Sequence, residues 1–298
     1  MRNRIGIVVI ALITGSILST GARAQVFFPG GRSDAQKKAA EESKAKLKYD
    51  PHDLSGIWRG AGQMVPPPKD PKIGDARPTS LMGGAPAPPM TEWGKQKFDS
   101  YKPSAAESWQ SRRVAPALGN DPIGNCDPLG YPRSLGRGPV EFIQTPEKIL
   151  QVFNGVGEGM ALREIFLDGR KLDTDDLDPR WYGWAVGHWE GDSLIVESSG
   201  YDERSWLDGN GFPHSESMKL REVYRHPDAT TLEITMTLED PKAYTKPWVG
   251  NKETFRLELP KDRTVLYEEY CVPSEEQTFN QGVRNPAGGD LAHSRPLK

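Results

Sequence analysis

From Val140 onward the sequence becomes a series of short β-rich runs broken by turn residues, and this feature most narrows the folds open to it. VEFIQT and KILQVFN are split by Pro146-Glu147, and LREIFLD is split from Arg170-Lys171-Leu172 by Asp168-Gly169. GWAVGHWE and SLIVESSGY are split by Gly191-Asp192, and MKLREVYRH and TLEITMTLED by Pro227-Asp228-Ala229. ETFRLELP and TVLYEEYC are split by Lys261-Asp262. Asp-Gly is the strongest short hairpin cue, and the others are ordinary turn chemistry. No helical period intervenes, so five successive hairpins predict a mainly β fold. A meander of antiparallel strands buries one face by closing into a barrel, with a β-sandwich as the alternative.

The residues before Val140 read differently. Residues 1–24 carry Arg2 and Arg4, an apolar run from Ile5 to Leu18, and the small-x-small sequence Ala22-Arg23-Ala24. That is the pattern of a cleaved signal peptide, and the apolar run is too short to span a membrane. A periplasmic or secreted chain with no stable membrane span is therefore expected. Cleavage takes three of the 38 basic residues and none of the 41 acidic ones, leaving a net charge of −6. Such a balance argues against a nucleic-acid partner.

Residues 25–52 have helix-forming, solvated composition without an apolar stripe. Residues 53–139 hold a first strand, DLSGIWRG, followed by a Pro- and Gly-rich wrap. Within the wrap, Thr91 offers an N-cap for the short helix TEWGKQKFDSY. Arg133 and Arg137 are candidate anion contacts, with pairing to surface acids as the plainer expectation. The meander fills 140–272, and 273–298 is an irregular tail. Only Cys126 and Cys271 are present. An even pair in an exported chain predicts a disulfide worth roughly 4–5 kcal/mol through the long loop it closes, the alternative being two buried thiols.

Alternation assigns the strand faces. In TLEITMTLED, Leu232, Ile234, Met236 and Leu238 share the core face. In KLREVYRH the face Leu220, Glu222, Tyr224 is apolar except for one acid, and in LREIFLD the face Leu162, Glu164, Phe166 repeats it. An inward carboxylate needs a cation or hydrogen-bond donors, with Arg163, Arg221 or His188 in reach. The alternative is the inverted sheet, with both glutamates facing solvent.

Two resemblances add to this reading. Gly56-Ile57-Trp58 resembles the first-strand signature of lipocalins and related calycin barrels, in which the tryptophan packs across the barrel floor. SGIW, CDPLGYPR, VGHWEGDSLIVES, WLDGNGFPHSE and EDPKAYTKPW, taken in order, resemble a widespread family of exported bacterial proteins. That resemblance covers most of Asp53–Cys271 and implies an exported, lipocalin-like β fold. It implies no substrate and no catalytic residue.

Candidate site residues cluster in Trp181–Trp248, which holds five of the eight tryptophans. The loop 201–217 joins two hairpins there and is suited to a barrel mouth, where small molecules bind. Trp184, Tyr201, Trp206, Tyr244, Lys246 and Trp248 are the candidate ligand contacts, aromatics for stacking and the lysine for an acid. His188, His214 and Glu222 are the candidate catalytic set, since His with Glu can move protons at neutral pH. No H-x-H or H-E-x-x-H occurs, so neither metal nor cofactor is expected. Ser198, Ser199 and Ser215 lie outside any G-x-S-x-G, which argues against a serine hydrolase. The leading expectation is an exported barrel binding a small apolar or aromatic ligand in its mouth. The alternatives are a periplasmic lyase, isomerase or hydrolase, and an envelope structural or assembly protein with an unknown protein partner.

Overall fold

The computed structural model describes residues 38, 42, 47–61, 85–103, 119–136, 138–155, 159–172, 177–259, 266 and 271. Residues 1–24, expected to be a signal peptide, most of the 25–52 arm, Arg137, the tail and nearly all of the run 260–270, with the hairpin expected there, lie outside the described residues. The strands are β1 (Gly56–Gly60), β2 (Val140–Gln144), β3 (Lys148–Gly155), β4 (Gly159–Phe166), β5 (Trp184–Glu190), β6 (Ser193–Ser199), β7 (Lys219–Asp228), β8 (Thr231–Glu239), β9 (Trp248–Val249) and β10 (Glu253–Leu257). One helix, α1 (Glu92–Ser100), and two 3₁₀ turns, Pro122–Asn125 and Arg133–Gly136, accompany them.

The strands form one closed mixed barrel. Neighbours run β1 to β8 in order, and β10 pairs with both β8 and β1 to complete a nine-stranded ring. The short β9 pairs with the other end of β8, outside the ring. This is the expected lipocalin-like barrel rather than the sandwich. Cys126 and Cys271 are bridged, with Cα atoms 5.5 Å apart.

One hairpin does not form. Asp168 and Gly169 make a turn, with Asp168 held by Arg170, but Arg170-Lys171-Leu172 do not pair back along β4. β4 instead meets β5 in parallel, through only Ile165↔Ala185 and Phe166↔Val186. Ala185 is buried where it meets β4, whereas Arg170 and Lys171 are exposed, so burial favours the later segment. The chain therefore has to cross from the end of β4 back to the start of β5, and Gly169–Leu172 lie beside the outward-facing His188, Glu197 and Arg221. β3 and β4 make a hairpin that the turn cues had not marked.

Alternation placed most of the core correctly. Leu232, Ile234, Met236 and Leu238 are buried, as are Leu220, Glu222 and Tyr224. In β4 the faces are inverted relative to expectation. Arg163 and Ile165 point inward, while Met160 and Leu162 are exposed outside. The Arg163 guanidinium supplies the reason, because it meets Glu222 inside the barrel at 2.5 Å. Trp58 is fully buried and donates through Nε1 to Leu54 O at 2.8 Å.

The wrap closes the end of the barrel that holds the loop 200–218. Thr91 caps α1 by accepting from Gly94 N, as the sequence predicted. Tyr101, after the helix, stacks on Trp206 with centroids 4.7 Å apart. Arg133 is not a surface anion contact. It is buried, forms a two-pronged pair with Asp121 at 3.0 and 2.6 Å, and lies near the Trp206 ring. Gly130 lets this wrap approach closely. Its φ is +75°, and a Cβ there would lie 2.6 Å from Ser205 Cβ.

Candidate functional site

The barrel interior is polar at its centre. Inward alternation on β3, β4, β6 and β7 delivers Gln151, Arg163, Ser198, Glu222 and Tyr224, and the wrap inserts Tyr131 among them. Arg163 Nη2 donates to Glu222 Oε2 at 2.5 Å, and Nη1 donates to Glu222 Oε1 at 3.3 Å and Gln151 Oε1 at 3.0 Å. Tyr131 and Tyr224 hydroxyls both donate to Glu222 Oε1, the latter at 2.6 Å. Gln151 Nε2 donates to Tyr224 Oη at 3.0 Å, and Ser198 Oγ lies 2.6 Å from Tyr201 Oη. The Arg163 guanidinium also lies 3.8 Å from the Tyr131 ring centre.

Burial sets the charge states. It pushes the Tyr131 and Tyr224 hydroxyls well above their ordinary range, with Glu222 adding to the rise, and moves Tyr201 up to about 12. These phenols stay protonated and serve as donors. Burial opposes the Arg163 charge, but Glu222 and the phenols outweigh it, so the guanidinium is held above its usual value.

The ladder between β4 and β5 is short. β4 pairs with β5 only at Ile165 and Phe166, so Gly159–Glu164 face the incoming segment 179–183 without a ladder between them. That segment bonds the other way. Arg180 N donates to Gly200 O at 2.9 Å, Asp202 N to Arg180 O at 3.0 Å, and Tyr131 N to Trp181 O at 3.1 Å. Gly183 permits the bend, with φ +63° and no room for a Cβ against Tyr201. The result is a cleft of about 420 Å³, with Trp181, Tyr182 and Trp184 on one side, Leu162 and Phe166 on the other, and Arg163 among its lining residues. The Arg180 guanidinium stacks 3.3 Å from the Trp184 ring centre.

The catalytic set expected from sequence does not converge. His188 points outward from β5, exposed, with Nε2 3.0 Å from Glu190 Oε1. Glu222 is inside the barrel. His214 is fully buried in the loop, where Nδ1 donates to Ser215 O at 3.2 Å and Nε2 accepts from Ser205 Oγ at 2.8 Å. Burial lowers the His214 pKa below its ordinary value, so the ring is neutral and this tautomer satisfies both partners. Asp240 then holds Ser215 through N and Oγ at 2.6 and 2.8 Å. His188 instead lines an outer hollow of about 690 Å³ with Lys219, Arg221, Glu197 and Glu239, all of them exposed.

The aromatic candidates separate in the same way. Tyr201, Trp206, Tyr244 and Trp248 are buried in the closed end, where Tyr244 Oη donates to Pro213 O and Trp248 Nε1 to Ala85 O. Lys246 is exposed on the loop before β9. Trp184 alone of the six lines the cleft. Sequence reasoning missed Tyr131 and Gln151 as members of the central cluster, and treated Arg163 as reaching around an edge. Strict alternation in KILQVFN held a usable signal, since it sets Gln151 on the face of Ile149 and Phe153. Among the described residues no three His, Cys, Asp or Glu side chains converge as metal ligands.

No family model, curated protein or solved structure matches the chain.

Proposed function

We propose that the protein is an exported small-molecule-binding barrel, and that its ligand is a flat, largely apolar molecule held in the cleft between β4 and segment 179–184. The observation that carries this reading is the interrupted β4–β5 seam. There a cleft of about 420 Å³ brings Trp181, Tyr182 and Trp184 against the outward-facing Leu162 and Phe166 of β4. Ligand pockets span about 300–1,000 Å³ and combine apolar walls with a few fixed polar groups, and this cleft has both properties. The reading moves the site from the loop 201–217 mouth, which the wrap covers, to the side of the barrel at the same end.

Titration of the full chain with naphthalene-type probes, followed by tryptophan fluorescence, tests it. The indoles of Trp181 and Trp184 should report binding, and Trp184→Ala should weaken it about tenfold or more, as expected for loss of an aromatic contact. A spectrum unchanged across such a panel refutes the reading.

A further inference from the structure

Three Asp-x-Arg sequences border the cleft: Asp168-Gly169-Arg170, Asp178-Pro179-Arg180 and Asp202-Glu203-Arg204. Each sets a guanidinium over an aromatic ring of the lining. Arg170 lies 3.8 Å from the Phe166 ring centre, Arg204 4.5 Å from that of Trp181, and Arg180 3.3 Å from that of Trp184.

The middle sequence folds differently from the other two. In the outer pair the aspartate accepts from the arginine's own backbone N–H, at 3.2 and 3.0 Å. The same carboxylate then grips the guanidinium, at 2.5 Å in both cases. Arg180 N is committed elsewhere, to Gly200 O at 2.9 Å, where segment 179–183 bridges to Tyr201. Asp178 therefore lacks the backbone donor that draws the other two aspartates onto their arginines. Among the described residues the Arg180 guanidinium has no acidic partner.

The remaining charges of the cleft cancel. Arg170 is held by Asp168, and Arg204 by Asp202. Glu164, in the lining, is met by Lys148 at 2.8 Å, and the Arg163 guanidinium is spent on Glu222 inside the barrel. Arg180 is left as the uncompensated charge, and it is exposed and part of the lining. A guanidinium stacked on an indole keeps its N–H edge free for a second partner. An anion can meet that edge while the flat body of a guest rests on the neighbouring rings.

We propose that Arg180 sets the specificity of the cleft, selecting flat guests that carry a negative group at the rim. This rests on the cleft being the binding site and adds the sign of the guest's charge and the side chain that reads it.

The test uses the full chain with three probes that share one ring system and differ in charge: naphthalene-2-sulfonate, 2-methylnaphthalene and 2-naphthylmethylammonium. Binding is followed by tryptophan fluorescence. Affinity should fall in that order by about three- to fivefold per step, the range for one exposed ion pair. The steps should shrink as salt is added. Arg180→Met takes the charge from an exposed position and should abolish the order, whereas Arg180→Lys should restore part of it. Asp202→Asn with Arg204→Met removes a charge pair as a unit and should keep the order.

Equal affinity for the three probes, or an order that survives Arg180→Met, overturns the specificity inference and leaves the cleft reading standing. Failure of all three probes to bind overturns both.

Discussion

Two of the buried polar clusters among the described residues differ in one respect. The loop cluster of Ser205, His214, Ser215 and Asp240 is closed. Both His214 nitrogens are used, Asp240 receives Ser215 through two groups, and Gly130 of the wrap presses on Ser205. The barrel cluster of Arg163, Glu222, Gln151, Ser198, Tyr131 and Tyr224 is equally buried but leaves one donor, Arg163 Nε, without an acceptor. Tyr201 joins them, its hydroxyl on Ser198 and its ring edge-on to His214 at 6.2 Å. A Ser–His pair invites a catalytic reading, and a buried ion pair invites a structural one. Hydrogen-bond accounting corrects the first of these: the loop cluster satisfies its own groups and reads as scaffold.

The sharpest test of that contrast comes from the ion pair. Arg163→Ala or Glu222→Ala alone should cost about 3–5 kcal/mol, because each leaves a buried charge without its partner. Arg163→Met with Glu222→Leu should cost much less than the sum, giving a large coupling energy in a double-mutant cycle by urea unfolding. Additive losses would mean that the two groups do not act as a pair.

The loop cluster should respond more mildly. Ser205→Ala leaves a buried His214 Nε2 without a donor and should cost about 1–3 kcal/mol. Probe affinity at the cleft should not change. If Ser205→Ala abolished ligand binding while the protein stayed folded, the assignment of scaffold and site would be wrong.

Acid titration separates the clusters again. His214 has its pKa lowered by burial from an ordinary 6.5. As the pH falls below 6.5 the unfolded chain takes up a proton that the folded one refuses. The contribution is therefore complete above 6.5 and is lost below it, at up to about 1.4 kcal/mol per pH unit. Unfolding curves between pH 7 and pH 5 should show this loss, and His214→Gln should flatten it. The smallest expected effect is at His188, exposed on the outer face. His188→Ala should change stability by less than about 0.5 kcal/mol and leave probe binding intact.

Much of the barrel was legible because its signal is local. Period-two alternation in β7 and β8 follows from one face being buried, and Glu222 was visible as the polar member of an otherwise apolar face. Arg163 could be named as a partner for an inward acid, but its own place inside the barrel was not legible. Leu162 and Phe166 made the wrong face of β4 look like the core, and only the strand three places round the ring, carrying Glu222, explains why a guanidinium is inside. The missing Asp168-Gly169 hairpin has a similar origin. The turn forms as its residues require, but the partner for that edge of β4 comes from Ala185 and Val186, beyond a crossover that no local cue records. The aromatic cluster at 201–248 misled because composition cannot tell a wall from a lining. The wrap from 119–136 decides that, and it is distant in sequence.

The central claim is that ligand enters at the β4–β5 seam. The most direct measurement is a map of backbone and indole ¹H–¹⁵N shift changes over the whole chain on adding 2-methylnaphthalene. The largest changes should fall on Trp181, Tyr182 and Trp184, with Ser205, His214 and the outer residues His188 and Arg221 unmoved. Largest changes at the outer face, or at the loop 201–217, would contradict it.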